Sequence, residues 1–251
     1  MFRHALLIAV MLSTLVGPIR ASGQATLQDV ESSILNLVEK QRSFTANVRM
    51  EVDVQEEDFQ IRSTKTGTYE FAKKDRNSLY RQELEVNGIQ RIDDEEMQFK
   101  HKEVVVCNGR HIYTLIDDAG QKSATMVGAQ SSPPSRVDRA LFTRWHAAYH
   151  LKLLADENVE GIPAWVIEAK PKSAGVEALP AKTLYHFSRA DGIMIRRVQF
   201  DDQGKMTEST TFSNVRLNPE LDEKRFEFTP PEGVEILDLT RDPKRSRSPD
   251  R

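Results

Sequence analysis

"FTANVRMEVDVQ", Phe44–Gln55, is the stretch on which the fold turns. Phe44, Ala46, Val48, Met50, Val52 and Val54 alternate with Thr45, Asn47, Arg49, Glu51, Asp53 and Gln55. Successive side chains on a strand point to opposite faces, so this pattern makes one long strand with an apolar face and a wet face. Such a strand needs a sheet around it. Upstream, Leu27, Val30, Ile34, Leu37 and Val38 fall at helical spacing and predict an amphipathic helix over 27–40. Downstream, "TGTYEFAKK" (66–74) sets Tyr69 and Phe71 in step, and "SLYRQELEV" (78–86) runs into Asn87-Gly88, a turn dipeptide. "EVVVCNGRHIYTLID" (103–117) reads as two strands about Asn108-Gly109.

Residues 118–136 are turn-rich, with Pro133-Pro134 as a stop. The period then changes. Val137, Leu141, Trp145, Ala148 and the Leu151–Leu154 group predict a second helix over 137–155. Strands resume with "IPAWVIEAKP" (162–171), a hairpin about Asp191-Gly192, a turn at Gln203-Gly204 and a strand through Phe212 and Val215. Phe226 and Phe228 read as the end of one more strand, stopped by Pro230-Pro231. "VEILDL" (234–239) resumes the alternation and can lie along a sheet edge. Hairpin turns dominate and no βαβ rhythm is present. The expected fold is mainly β (α+β): one curved antiparallel sheet of about ten strands, with the helices against one face.

The two ends set the compartment. Arg3, the apolar run Ala5–Val16, Pro18 and the small residues Ala21 and Gly23 have the three-part layout of a secretory signal peptide. Cleavage is expected after Gly23, with Ala25 as the alternative; the competing reading is a retained anchor helix. The working domain is then 24–240. The formal charge is −3 for the whole chain and −8 for 24–240, offset by a basic tail, 241–251, that contains no apolar residue. An acidic body argues against nucleic acid as partner. The tail is expected to be disordered. Cys107 is the single cysteine, so the fold rests on its core without an internal disulfide.

No Gly-rich phosphate loop, nucleotide fingerprint or nucleophile elbow is present. "HAAYH" (146–150) spaces His146 and His150 for one helical face, but Ala147 stands where a zinc protease needs glutamate. "DDEEMQ" (93–98) holds consecutive carboxylates, which splay apart instead of facing each other across a substrate, and reads as a solvated loop or hairpin edge. Cys107 follows three valines and reads as a small core residue. No catalytic residue, metal site or cofactor is expected, and the chain is not expected to be an enzyme. What stands out is the apolar face of the strands. It is either a container for an apolar ligand or an ordinary core filled by the helices.

The C-terminal third resembles the closing strands of the LolA-like outer-membrane lipoprotein carriers. The matching pieces are Asp191–Arg197, the turn Asp201–Thr207, the strand Phe212–Asn218 and the acidic closure Leu221–Val234. "VVVCNGRHIYTLID" and "EGIPAWVIEAKPK" resemble further strands of that family. The resemblance implies a half-open β-barrel covered by helices, a periplasmic location, and an apolar cavity for the acyl chains of a lipoprotein or another lipid. It implies a monomer, an inner-membrane complex that releases cargo to it and an outer-membrane receptor. The residues expected to touch cargo are Phe44, Val48, Met50, Val52, Tyr69, Phe71, Leu141 and Trp145, with the two helices as lid. In the family an Arg-Pro pair helps to hold the lid closed. Alignment on Gly67 puts Lys73-Lys74 there, which makes Lys73 the candidate for lid closing without a guanidinium fork. Related folds also act as envelope sensors that transport nothing, so the fold leaves that alternative open.

Overall fold

The computed structural model describes residues 25–56, 58–74, 77–93, 95–129, 137–173 and 180–240. The proposed signal peptide (1–23), the basic tail (241–251) and Pro133-Pro134 lie outside the described residues. A helix, α1 (Leu27–Glu39), precedes six strands: β1 (Ser43–Gln55), β2 (Phe59–Lys74), β3 (Asn77–Ile92), β4 (Glu95–Cys107), β5 (His111–Asp118) and β6 (Gln121–Gly128). A second helix, α2 (Arg139–Ala148), is followed by β7 (Tyr149–Leu153), β8 (Glu157–Val159), β9 (Ile162–Pro171), β10 (Lys182–Ser188), β11 (Met194–Phe200), β12 (Met206–Leu217) and β13 (Ile236–Asp238).

All these strands form one sheet in the order β13-β6-β5-β4-β3-β2-β1-β12-β11-β10-β9-β7, with β8 paired to β9. Pairing is antiparallel except for β13, which runs parallel to β6. The sheet is open and curved. One contiguous core joins Tyr80 of β3 and Cys107 of β4 to Val159 of β8 and Ala164 of β9. Held flat, β3 and β9 would lie roughly 29 Å apart at ~4.8 Å per strand.

Local chemistry sets the boundaries. Thr26 and Asp29 close a capping box on α1: Asp29 N donates to Thr26 Oγ1 at 3.2 Å, and Thr26 N donates to Asp29 Oδ2 at 2.9 Å. Asn108-Gly109 turns as expected. Asn108 Oδ1 accepts from the backbone of Arg110 and His111, and Gly109 takes φ +88°, a conformation costly for a side-chain-bearing residue.

Four expectations are corrected. The sheet has thirteen strands, not about ten. Asn87-Gly88 is no turn but lies inside β3, with Gly88 opposite Ser63 and Phe99. A Cβ on Gly88 would sit 2.4 Å from the Phe99 ring, so glycine serves close approach there. The second helix stops at Ala148, and Leu151 and Leu153 belong to β7, where Lys152 alternates between them. Phe226 closes a short 3-10 helix (Glu223–Phe226), and no ladder runs through Phe228. "VEILDL" does reach an edge, through β13.

Candidate functional site

Register assigns each side chain to a face. Phe44, Phe71, Tyr80 and Cys107 pair across β1–β4 in one row; Ala46 pairs with Tyr69, Val48 with Phe212, and Met50 with Lys65 and Thr210. Thr210 pairs with Arg197, Arg197 with Tyr185, and Tyr185 with Ile167. The same face therefore continues to β10 and β9, where the helices lie. Val30 and Ile34 of α1, and Phe142 and Trp145 of α2, share a core with Ile167, Phe187 and Met194.

On β1 and β2 this helix-side face is packed with rings. Phe44 stacks on Tyr69 and Phe71 at centroid distances of 5.5 and 5.2 Å, and Tyr69 meets the edge of Phe212 at 5.2 Å. Of the residues expected to touch cargo, Phe44, Val48, Tyr69 and Phe71 are buried in this cluster, and Met50 packs half-buried against it. Val52 lies further along β1, half-buried. Leu141 and Trp145 belong to the helix core instead, with Trp145 lying over Tyr185 at 4.1 Å. Burial pushes the Tyr185 phenol up to about 12, so it stays neutral under the helix.

Between the two groups lies a cavity of about 210 Å³. Leu35 and Val38 of α1, Phe44, Phe71, Val137 and the start of α2 line it. Lys73 is exposed and sits at its edge with Glu39, Asp138 and Arg139. The structure thus brings Phe44, Phe71 and Lys73 to one cavity and leaves the other expected contacts outside it.

The covering helices are tied by few polar contacts. His146 Nε2 of α2 lies 3.0 Å from Glu31 Oε2 of α1. Lys172 Nζ donates to the His146 carbonyl at 2.6 Å, and Gln41 Nε2 donates to the Asp191 carbonyl. His150 stands on β7, so the two histidines share no helical face. Among the described residues no group of three His, Cys, Asp or Glu side chains could hold a metal. The Glu31–His146 contact was not readable from the chain, because the partners are 115 residues apart.

The helix-side face is not uniformly apolar. Lys65 Nζ bonds Glu103 Oε2 at 2.6 Å on one side of Met50, and Arg197 pairs with Glu208 on the other. Each charge has its counter-charge, which lets it sit against apolar neighbours. No helix among the described residues is long and apolar enough to cross a membrane.

No family model matches the chain. A curated relative, an outer-membrane lipoprotein carrier protein of Pseudoalteromonas translucida, is 39% identical over 64 residues, 26% of this chain and 30% of that protein. Among solved structures, an uncharacterized conserved protein from Thermus thermophilus is similar over 84% of this chain and 98% of its own, at 12% identity and a TM-score of 0.49. A LolA superfamily protein from Nitrosomonas europaea is similar over 82% and 99%, at 14% identity and a TM-score of 0.29. By its closing motif and by the 64-residue match, the family that the chain resembles is that of the LolA-like outer-membrane lipoprotein carriers.

Proposed function

We propose that the protein is a periplasmic carrier that shelters the acyl chains of a lipoprotein, or of another lipid, between its two helices and the helix-side face of a half-open barrel. The reading is carried by one observation. A cavity with apolar walls from Leu35, Val38, Phe44, Phe71 and Val137 and a polar border of Glu39, Gln41, Lys73, Asp138 and Arg139 lies at the seam between α1, the start of α2 and the β1–β2 rings. At about 210 Å³ it is smaller than ordinary ligand pockets, which start near ~300 Å³. A chain therefore enters only as the helices part. Each buried CH₂ contributes about 0.8 kcal/mol, whereas a partly exposed polar contact such as Glu31–His146 contributes up to ~1 kcal/mol. A few methylenes offset the latch. Release needs no chemistry, only an acceptor that binds the chain more tightly.

The test uses the mature chain produced with its own leader. Mass spectrometry of the extracted protein is expected to find an acylated lipid. Cysteines at Glu31 and His146, joined by a short bis-maleimide linker with a cleavable disulfide in its spacer, should block uptake of a hydrophobic fluorescent probe, and cleaving the linker by reduction should restore it. A lipid-free native protein that takes up the probe equally when locked and unlocked overturns the proposal. Transfer of bound lipid to acceptor vesicles separates a carrier from a sensor of the same fold, which would bind without delivering.

A further inference from the structure

The far end of β1–β4 has a different character from the seam, and lies roughly 35 Å from it along β1 at ~3.3 Å per residue. Three turns meet there. The β1–β2 and β3–β4 turns are joined by Asp93 N donating to Asp58 O at 2.9 Å. The β11–β12 turn stands beside them, because β12 pairs with β1 through Val52–Glu208. Below the turns a groove of about 660 Å³ runs over Val52, Ser63, Gly88, Phe99 and Met206. Beyond it Ile92 and Met97 are 49% and 59% exposed, and Ile89, on the other face, is 39% exposed.

Exposed carboxylates surround this end of the sheet: Glu56, Asp58, Asp93, Glu95 and Asp202, with Glu96 on the opposite face across from Arg91. Among the described residues none of the six is in an ion pair. The nearby bases do not neutralise them. Arg62 and Lys205 are both held by Asp53, at 3.4 and 3.0 Å; Arg91 stands across from Glu96 on the opposite face, and Lys100 borders the groove.

We infer that this end is a docking surface for a cationic amphipathic segment of a partner protein. Such a segment sets its apolar side chains into the groove and its lysines or arginines on the rim. An apolar mouth left open on a folded protein marks an interaction site, and the acid rim selects what approaches it. Anionic lipid headgroups are repelled by it. A second copy of the same mouth would face it with like charge. Met206 in the groove and Met97 beyond it give the surface the adaptability that suits varied side chains. The inference stands apart from the seam beneath the helices.

The probe is a synthetic amphipathic peptide of leucine and lysine, with a twin carrying glutamate in place of lysine. Fluorescence anisotropy with the mature chain should show the lysine peptide binding at least about tenfold more tightly, with an advantage that shrinks as salt is added. The Asp58→Lys/Glu95→Lys pair should remove that advantage, and Ile92→Asn/Met97→Asn should weaken binding of the lysine peptide. Exchanging Glu220 and Glu232, exposed carboxylates elsewhere, for lysine should leave it unchanged. All these sites are exposed, so circular dichroism and the melting temperature serve as the folding control. Equal binding of the two peptides overturns the inference. So does an equal loss from the Glu220/Glu232 exchange, which would mean bulk charge alone. Preference for anionic phosphatidylglycerol vesicles over the lysine peptide overturns it as well. Probe uptake at the seam is unaffected by these variants, so either proposal can fail alone.

Discussion

The sheet carries a cover on each face, and the two are built differently. On one side lie α1 and α2, tied down by apolar packing and a handful of polar contacts. On the other side runs the segment after β12. Its side of the sheet follows from register: Glu70 lies between Tyr69 and Phe71, and Tyr113 follows Ile112, so both point away from the helices. Arg225 Nε bonds Glu70 Oε2 at 2.7 Å, Lys74 Nζ bonds Glu223 Oε2 at 2.5 Å, and Phe228 stacks on Tyr113 at 4.9 Å. Phe226 is 2% exposed, and β13 then enters the sheet itself. Strand pairing and a buried ring make the outer strap part of the fold. Among the described residues α1 has no backbone bond into a ladder and α2 has one, from Lys172 N to the carbonyl of its last residue, Ala148, so the helices are the cover freer to move.

Variants can break that contrast. Phe226→Ala should cost about 3–5 kcal/mol in urea-induced unfolding, because a ring this buried leaves a cavity. The midpoint should fall with the denaturant slope unchanged; a loss under ~1 kcal/mol would make the strap an accessory. Trp145→Ala should cost less overall, about 1–3 kcal/mol. It should also raise amide exchange in α1 and α2 selectively and speed probe uptake. Equal acceleration across β12 and β13 would mean that the helices and sheet open together.

The sheet itself supplies a third test. His186 sits between Tyr185 and Phe187, hence on the face away from the helices, 1% exposed, with Nε2 3.0 Å from Glu157 Oε2. Burial holds its imidazole below the ordinary value of 6.5, against the opposing pull of Glu157. The unfolded chain takes up that proton near 6.5 and the folded chain only at lower pH. His186 therefore leaves stability intact above about 6.5 and erodes it as pH falls from there toward its folded value. Urea midpoints from pH 7.5 down to 5 should decline, and His186→Gln should flatten the decline; identical slopes would refute the assignment. The smallest effect is expected at the latch. His146→Ala should change global stability by about 0.2–1 kcal/mol, since the imidazole is half exposed, yet still quicken probe uptake. Unchanged uptake would remove Glu31–His146 from the account of opening.

Much of the sheet was legible in the chain, for reasons that also explain the misreadings. β1 shows six alternations because one of its faces is buried at Phe44, Ala46 and Val48 and half-buried from Met50 to Val54. Asn108-Gly109 and Asp191-Gly192 are turns because Gly109 and Gly192 adopt positive φ. Asn87-Gly88 misleads because Gly88 is chosen for the closeness of Phe99 and not for a turn. β8 and β13 are three residues each, too short for alternation to declare itself. Leu151 and Leu153 look helical only when joined to the helix before them. Phe226 and Phe228 alternate because the strap buries one side, which imitates a strand without its ladder. The site was half legible. Alternation picked out the face of Phe44 and Phe71 but could not say that rings from β1, β2, β3 and β12 fill it. The acidic mouth was read as solvated because Ile92 and Met97 flank its carboxylates in sequence, and only pairing of β3 with β4 shows that they adjoin a groove.

The pairing of β1 with β12 sets a timetable. Thr45 lies opposite Arg216, so the first strand waits for a partner from near the other end of the chain. Contacts of such wide separation are slow to form. A chain that emerges N-terminus first, from a ribosome or through a membrane channel, exposes β1 early and can complete the pairing of β1 only after residue 217 is out. Its last act is to lay β13 beside β6. Until β12 arrives, the unpaired backbone edge that β1 offers to it is unoccupied beside an apolar face, and that interval is when the chain has most need of a chaperone.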